Sequence, residues 1–95
     1  MKVYITDNAI NMLNKHIDFL GKVSKKATLK LLNLFDEYLI ILKYFPQIGN
    51  AIYKNKNQNF RKIVMNKRYV LIYHVFKNNV FIEAVLDARQ KNNYL

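Results

Sequence analysis

The sequence predicts an α+β domain in which a helical hairpin packs on one face of an antiparallel sheet. Three observations carry that expectation. An early segment of the chain repeats its apolar residues with helical period, a later segment is β-rich with short polar breaks, and Pro46 divides the two. At 95 residues the chain suffices for a single domain, residues 1–95, and an apolar share of 52% is ample for one core.

The elements follow in order. Lys2 to Thr6 alternates and is β-rich, so it reads as a short strand. Thr6 or Asp7 then suits a helix N-cap. Ile10, Leu13, Ile17 and Leu20 recur at spacings of 3, 4 and 3, one face of an amphipathic helix that ends at Gly21. Ser24 is a second N-cap. Ala27, Leu31, Leu34, Tyr38, Ile41 and Phe45 continue the helical period, and Leu32, Phe35, Leu39 and Leu42 widen the apolar face. Pro46 stops this helix. The polar stretch Gln47 to Asn59 reads as a basic loop. Three strands follow, Phe60–Met65, Tyr69–Phe76 and Val80–Asp87, joined by turns at Asn66-Lys67-Arg68 and Lys77-Asn78-Asn79. The expected order is β-α-α-β-β-β, with the second sheet face and the loop after the second helix left to meet a partner.

Composition narrows the function. The absence of cysteine excludes disulfides, thiolate metal sites and a thiol nucleophile. His16 and His74 show no metal-ligand spacing, and there is no glycine-rich phosphate loop or nucleophile elbow. No metal and no cofactor are expected. The longest apolar run, Tyr38 to Leu42, is too short to cross a membrane, and the N-terminus lacks signal-peptide character. A cytoplasmic protein without a membrane partner is the expectation.

Charge is the unusual property. Sixteen Lys and Arg face six Asp and Glu, giving +10. No acid occurs from Tyr38 to Ile82, a stretch holding Lys43, Lys54, Lys56, Arg61, Lys62, Lys67, Arg68 and Lys77. Such an imbalance favours nucleic acid, an acidic protein or an anionic membrane surface as partner. All three arginines, Arg61, Arg68 and Arg89, lie in the C-terminal part, and arginine suits bidentate phosphate contact. Together with Lys62, His74, Gln90 and Tyr94 they could cleave RNA through its 2′-hydroxyl. That reaction needs a proton acceptor, a proton donor and cations around phosphorus. Arg61, Arg89, His74 and Tyr94 are the catalytic candidates. Lys54, Lys56, Lys62, Arg68 and Gln90 are the target-binding candidates. Tyr69 and Tyr73 are expected in the core.

The C-terminal half resembles the RelE/ParE superfamily of bacterial toxins. The residues that carry the resemblance are Phe60-Arg-Lys-Ile-Val64, Tyr69-Val-Leu-Ile-Tyr-His-Val75 and the strand from Val80 that runs into Asp87-Ala-Arg-Gln90. Pro46 and Gly49 match a Pro-x-x-Gly after the second helix. The resemblance implies a toxin neutralised by a cognate antitoxin from an adjacent gene. It also implies one of two targets, the ribosome with its mRNA, which RelE-like members cut, or DNA gyrase, which ParE-like members inhibit without cutting RNA. Arg61 and Arg89 or Gln90 match the cationic positions, and Tyr94 matches a terminal tyrosine displaced by one residue. Val70 and Ile63 depart from the nuclease pattern, and the ending Asp87 to Gln90 is closer to the ParE side. Charge and the arginine cluster tilt the expectation slightly towards ribosome-dependent mRNA cleavage; the alternatives are a gyrase inhibitor without nuclease activity and a degenerate, non-toxic module that keeps only the antitoxin-docking surface.

Overall fold

The computed structural model describes residues 1–55 and 58–89. A short strand, β1 (Val3–Ile5), leads into two helices, α1 (Asp7–Gly21) and α2 (Lys25–Tyr44). Four strands follow, β2 (Asn50–Asn55), β3 (Gln58–Met65), β4 (Tyr69–Phe76) and β5 (Asn79–Asp87).

Local chemistry sets the boundaries. Thr6 is the first N-cap, its hydroxyl accepting the Ala9 N–H at 3.2 Å, and Ser24 does the same for Ala27 at 3.2 Å. Each satisfies a donor that the first helical turn leaves open. Pro46 lies just beyond α2, whose last turn is closed by the Phe45 N–H on the Ile41 carbonyl at 2.7 Å. The β3–β4 turn holds Asn66 and Lys67 at φ of 50° and 62°, and the β4–β5 turn holds Lys77 and Asn78 at 49° and 63°. These are the left-handed conformations that tight hairpins with right-twisted strands require.

The five strands lie in the order β1-β5-β4-β3-β2. Two features depart from the sequence reading. The polar segment read as a loop contains the extra strand β2, which pairs antiparallel with β3. And β1 runs parallel to β5, Val3 beside Val80, so the sheet is mixed. The first becomes intelligible once β2 is seen as an edge strand, as β1 is on the other side. An edge strand has one neighbour only, so it needs neither a long apolar run nor alternation to hold its place.

Alternation distributes the central strands over two faces. Tyr69, Leu71 and Tyr73 of β4 join Met65, Val80, Ile82 and Val85 in the main core with Leu20, Leu31, Phe35 and Leu42 of the helices. Val70 and Ile72 point the other way, into a smaller cluster with Phe60, Ala84 and Leu86. This accounts for the nearly unbroken apolar run of β4, which is buried on both sides. In α2 the most buried residues are Leu31, Phe35 and Leu42, drawn from both of the apolar rows, whereas Ile10 of α1 and Phe45 at the end of α2 remain exposed.

Candidate functional site

Three clusters of polar groups are built into the sheet. The first lies on the helix side. The Tyr73 ring is fully buried. Its hydroxyl donates to the Pro46 carbonyl at 2.8 Å and accepts the Gly49 N–H at 2.8 Å. Arg61, beside Tyr73 across the β3–β4 pair, donates to the Gly49 carbonyl at 2.7 Å and the Gln47 carbonyl at 3.4 Å. Burial pushes the Tyr73 hydroxyl's pKa above its ordinary value, with the Gly49 hydrogen bond and the Arg61 charge opposing. Glycine is required at position 49 by space. A Cβ there would lie 2.6 Å from the Tyr73 hydroxyl and 2.8 Å from the Lys62 carbonyl oxygen. The Pro-x-x-Gly motif and the cationic position of β3 are therefore two halves of one lock, which fixes the link between α2 and β2 onto the sheet.

The second cluster crosses the opposite face. Five rings stand side by side, one from each strand. Tyr4 stacks on Phe81 at 5.2 Å, Phe81 on His74 at 5.3 Å, His74 packs on Phe60 at 4.9 Å, and Phe60 stacks on Tyr53 at 4.8 Å. His74 is the middle rung and is buried. Its Nε2 meets a Glu83 carboxylate oxygen at 2.8 Å, and its Nδ1 is buried without a hydrogen-bond partner among the described residues. With the proton on Nε2, the ring donates to Glu83 and Nδ1 keeps only a lone pair, the tautomer that leaves no donor unsatisfied. A register shift aims Glu83 here. The pairing steps from Ile72↔Ala84 to Tyr73↔Ile82, so Glu83 is the extra residue of a bulge in β5.

The third cluster closes the end of β5. Asp87 accepts the Arg89 N–H at 2.9 Å and Nε at 3.0 Å on one oxygen, and the guanidinium NH2 at 2.8 Å on the other. The Arg89 hydrogen bonds hold the Asp87 carboxyl down at about 2, against the opposing effect of its burial, and the Arg89 pKa is raised in return, chiefly by the same hydrogen bond. The strand end is joined to the β3–β4 turn by the Ala88 N–H on the Arg68 carbonyl at 2.7 Å. Nearby, His16 of α1 bonds the Val85 carbonyl at 2.8 Å, and its ring meets Tyr69 edge-on.

The candidates do not converge. Arg61 and His74 occupy opposite faces of the sheet, because Arg61 pairs with Tyr73 and His74 with Phe60. Arg89 and Arg68 lie at the other end of β4, where Tyr69 pairs with Asp87. Four residues of strand, roughly 13 Å at about 3.3 Å per residue, separate that end from Tyr73. Lys62 shares the His74 face, opposite Ile72. Lys54 falls in β2 with its side chain outside the described part, and Lys56, Gln90 and Tyr94 lie outside the described residues. Sequence reasoning passed over Glu83, Gly49 and Asp87 as partners. Gly49 carried a signal as half of the Pro-x-x-Gly motif, and Asp87 one only as part of the Asp87 to Gln90 ending.

Comparison with known proteins agrees with the fold. The chain is similar to a solved structure described as the chromosomal ParDE TA system from P. aeruginosa. The TM-score is 0.75 at 14% identity, covering 94% of this chain and 97% of that one. No curated protein matches. Residues 3–92 match the family described as the ParE toxin of type II toxin-antitoxin system, parDE. With nearly its whole length inside that match, the chain belongs to the ParE toxin family of type II toxin–antitoxin systems.

Proposed function

We propose that this protein is the growth-inhibiting toxin of a type II pair, neutralised by an acidic antitoxin from the adjacent gene, and that it inhibits DNA gyrase by binding rather than by cutting mRNA. One observation supports the choice of target. The described catalytic candidates, Arg61, His74 and Arg89, all have side-chain partners within the fold. Arg61 braces the Gly49 and Gln47 carbonyls, His74 is enclosed in the ring stack with Glu83, and Arg89 is clamped to Asp87. Proton transfer to a substrate needs a titratable group within hydrogen-bond reach of it, and His74 is buried, with Nδ1 enclosed and Nε2 engaged by Glu83. The family match points the same way. The preference for mRNA cleavage, read from charge and the arginine cluster, gives way on this ground.

The test sets two assays side by side. Purified protein is added to gyrase with relaxed plasmid, and to a translating extract whose reporter mRNA is mapped by primer extension. Lost supercoiling with unbroken mRNA is the expected result. Breaks that appear only on engaged ribosomes, with supercoiling untouched, would overturn the reading.

A further inference from the structure

Resting on the toxin–antitoxin reading, we infer that the C-terminal half of α2 and the link that follows it form the docking surface for the antitoxin, through a segment that is both acidic and apolar. Ile40, Tyr44, Phe45 and Ile48 are 60%, 66%, 65% and 54% exposed. Ile40 and Tyr44 are one turn apart on the same side of the helix. Four large apolar side chains exposed within nine positions exceed the scattered exposure normal for a soluble surface.

Two shallow clefts divide this patch between them and meet end to end along the chain. One runs between α2 and the sheet edge at β1 and is lined by Lys2, Tyr4, Ile40 and Lys43 among others. The other is lined by Tyr44 to Ile48. The surface is held in shape before any partner arrives. The Tyr73 hydroxyl bonds the Pro46 carbonyl at 2.8 Å, and the Ile48 N–H bonds the Phe45 carbonyl at 3.1 Å. A surface already in its bound form loses less entropy on association.

Charge selects the occupant. Lys2 and Lys43 line the first cleft, Lys43 next in sequence to the second, no acidic residue lines either one, and among the described residues neither lysine makes an ion pair. Lys43 lies over the Tyr44 ring at 5.7 Å. A second copy of this chain would bring +10 against +10 and lysine against lysine. A nucleic acid would satisfy the lysines and leave the apolar groups in water. A segment in which Asp or Glu alternates with Leu, Ile or Phe satisfies both.

The test uses the full-length chain and the purified small protein encoded by the abutting open reading frame. Binding is measured by calorimetry and neutralisation by growth rescue. Two double variants are made, Lys2→Glu with Lys43→Glu, and Phe45→Ser with Ile48→Ser, with Leu29→Ser elsewhere on α2 as the control. Thermal melts establish that each folds. Both double variants are expected to stay toxic and to bind the antitoxin weaker by roughly a factor of ten or more, as for interface anchors, while the control binds normally. Unchanged affinity in both, or an equal loss in the control, overturns the inference. So does loss of toxicity with antitoxin binding intact, which would assign the patch to the toxin's target. If the wild-type chain is itself neither bound nor rescued, the toxin–antitoxin reading fails, and the inference with it.

Discussion

Gly49 and Tyr73 make the sharpest claims at the scale of single residues. Gly49→Ala places a methyl group 2.6 Å from the Tyr73 hydroxyl and 2.8 Å from a backbone oxygen, and backbone cannot move aside as a flexible side chain can. The expected loss is about 1–3 kcal/mol, read from urea unfolding. Tyr73→Phe keeps the ring but leaves the Gly49 N–H without its acceptor, and about 1–3 kcal/mol is expected there as well. Because the two substitutions disturb one contact, the double variant should lose less than the sum of the singles. Asp87 supplies a pH dependence. Its carboxyl is lowered from 3.8 to about 2, so the folded state binds the proton less readily than the unfolded chain does. The stabilisation is complete above pH 3.8 and is lost as the pH falls through about 2. Asp87→Asn should flatten the stability curve across that window, measured by acid titration of the melting temperature. Arg89→Ala should flatten it too while the protein stays toxic, since the Arg89 guanidinium is engaged with Asp87.

Among the elements, the two tight hairpins invite a prediction of opposite sign. Lys67 sits at φ 62°, where a side chain costs about 1–2 kcal/mol. Lys67→Gly converts the turn to Asn-Gly, the pairing this geometry favours. A gain of about 0.5–1 kcal/mol is expected by denaturant unfolding, after the extra freedom of glycine in the unfolded chain is subtracted. The elements also show which kinds of structure were legible in the sequence. Both helices were readable because apolar spacing and capping residues are local, and Thr6 and Ser24 cap as their hydroxyls allow. The three later strands were readable from β-rich runs cut by asparagine turns. The strand Asn50–Asn55 was not, since its place is set by backbone pairing with β3 and its polar residues carry no period. The parallel alignment of β1 with β5 lies beyond local reasoning, because the partners stand at opposite ends of the sequence. The candidate site was legible in residue type only. Arg61, His74 and Arg89 are conspicuous, but facing and register decide what each touches, and the bulge at Glu83 shifts that register by one.

For the whole molecule, the governing quantity is a charge of +10 with every acid confined to residues 7–37 and 83–87. Association with an acidic antitoxin should be fast at low salt and should slow steeply as salt rises, while the dissociation rate changes little. Stopped-flow mixing at several ionic strengths would measure this, and an association rate indifferent to salt would mean that the apolar patch alone guides the encounter.

The strand Val3–Ile5 lies against Val80–Ile82. During synthesis β1 therefore has no neighbour until β5 has followed it. Until then its edge, and the side of β5 it will cover, cannot be completed. A nascent chain of this protein can form its helical hairpin early, since that needs only local contacts, but its sheet closes only once β5 has been made. Prematurely terminated fragments lacking β5 should therefore be harmless. Residues 80–82 thus decide when β1 is secured, and with it the cleft between α2 and β1 that the antitoxin is proposed to enter.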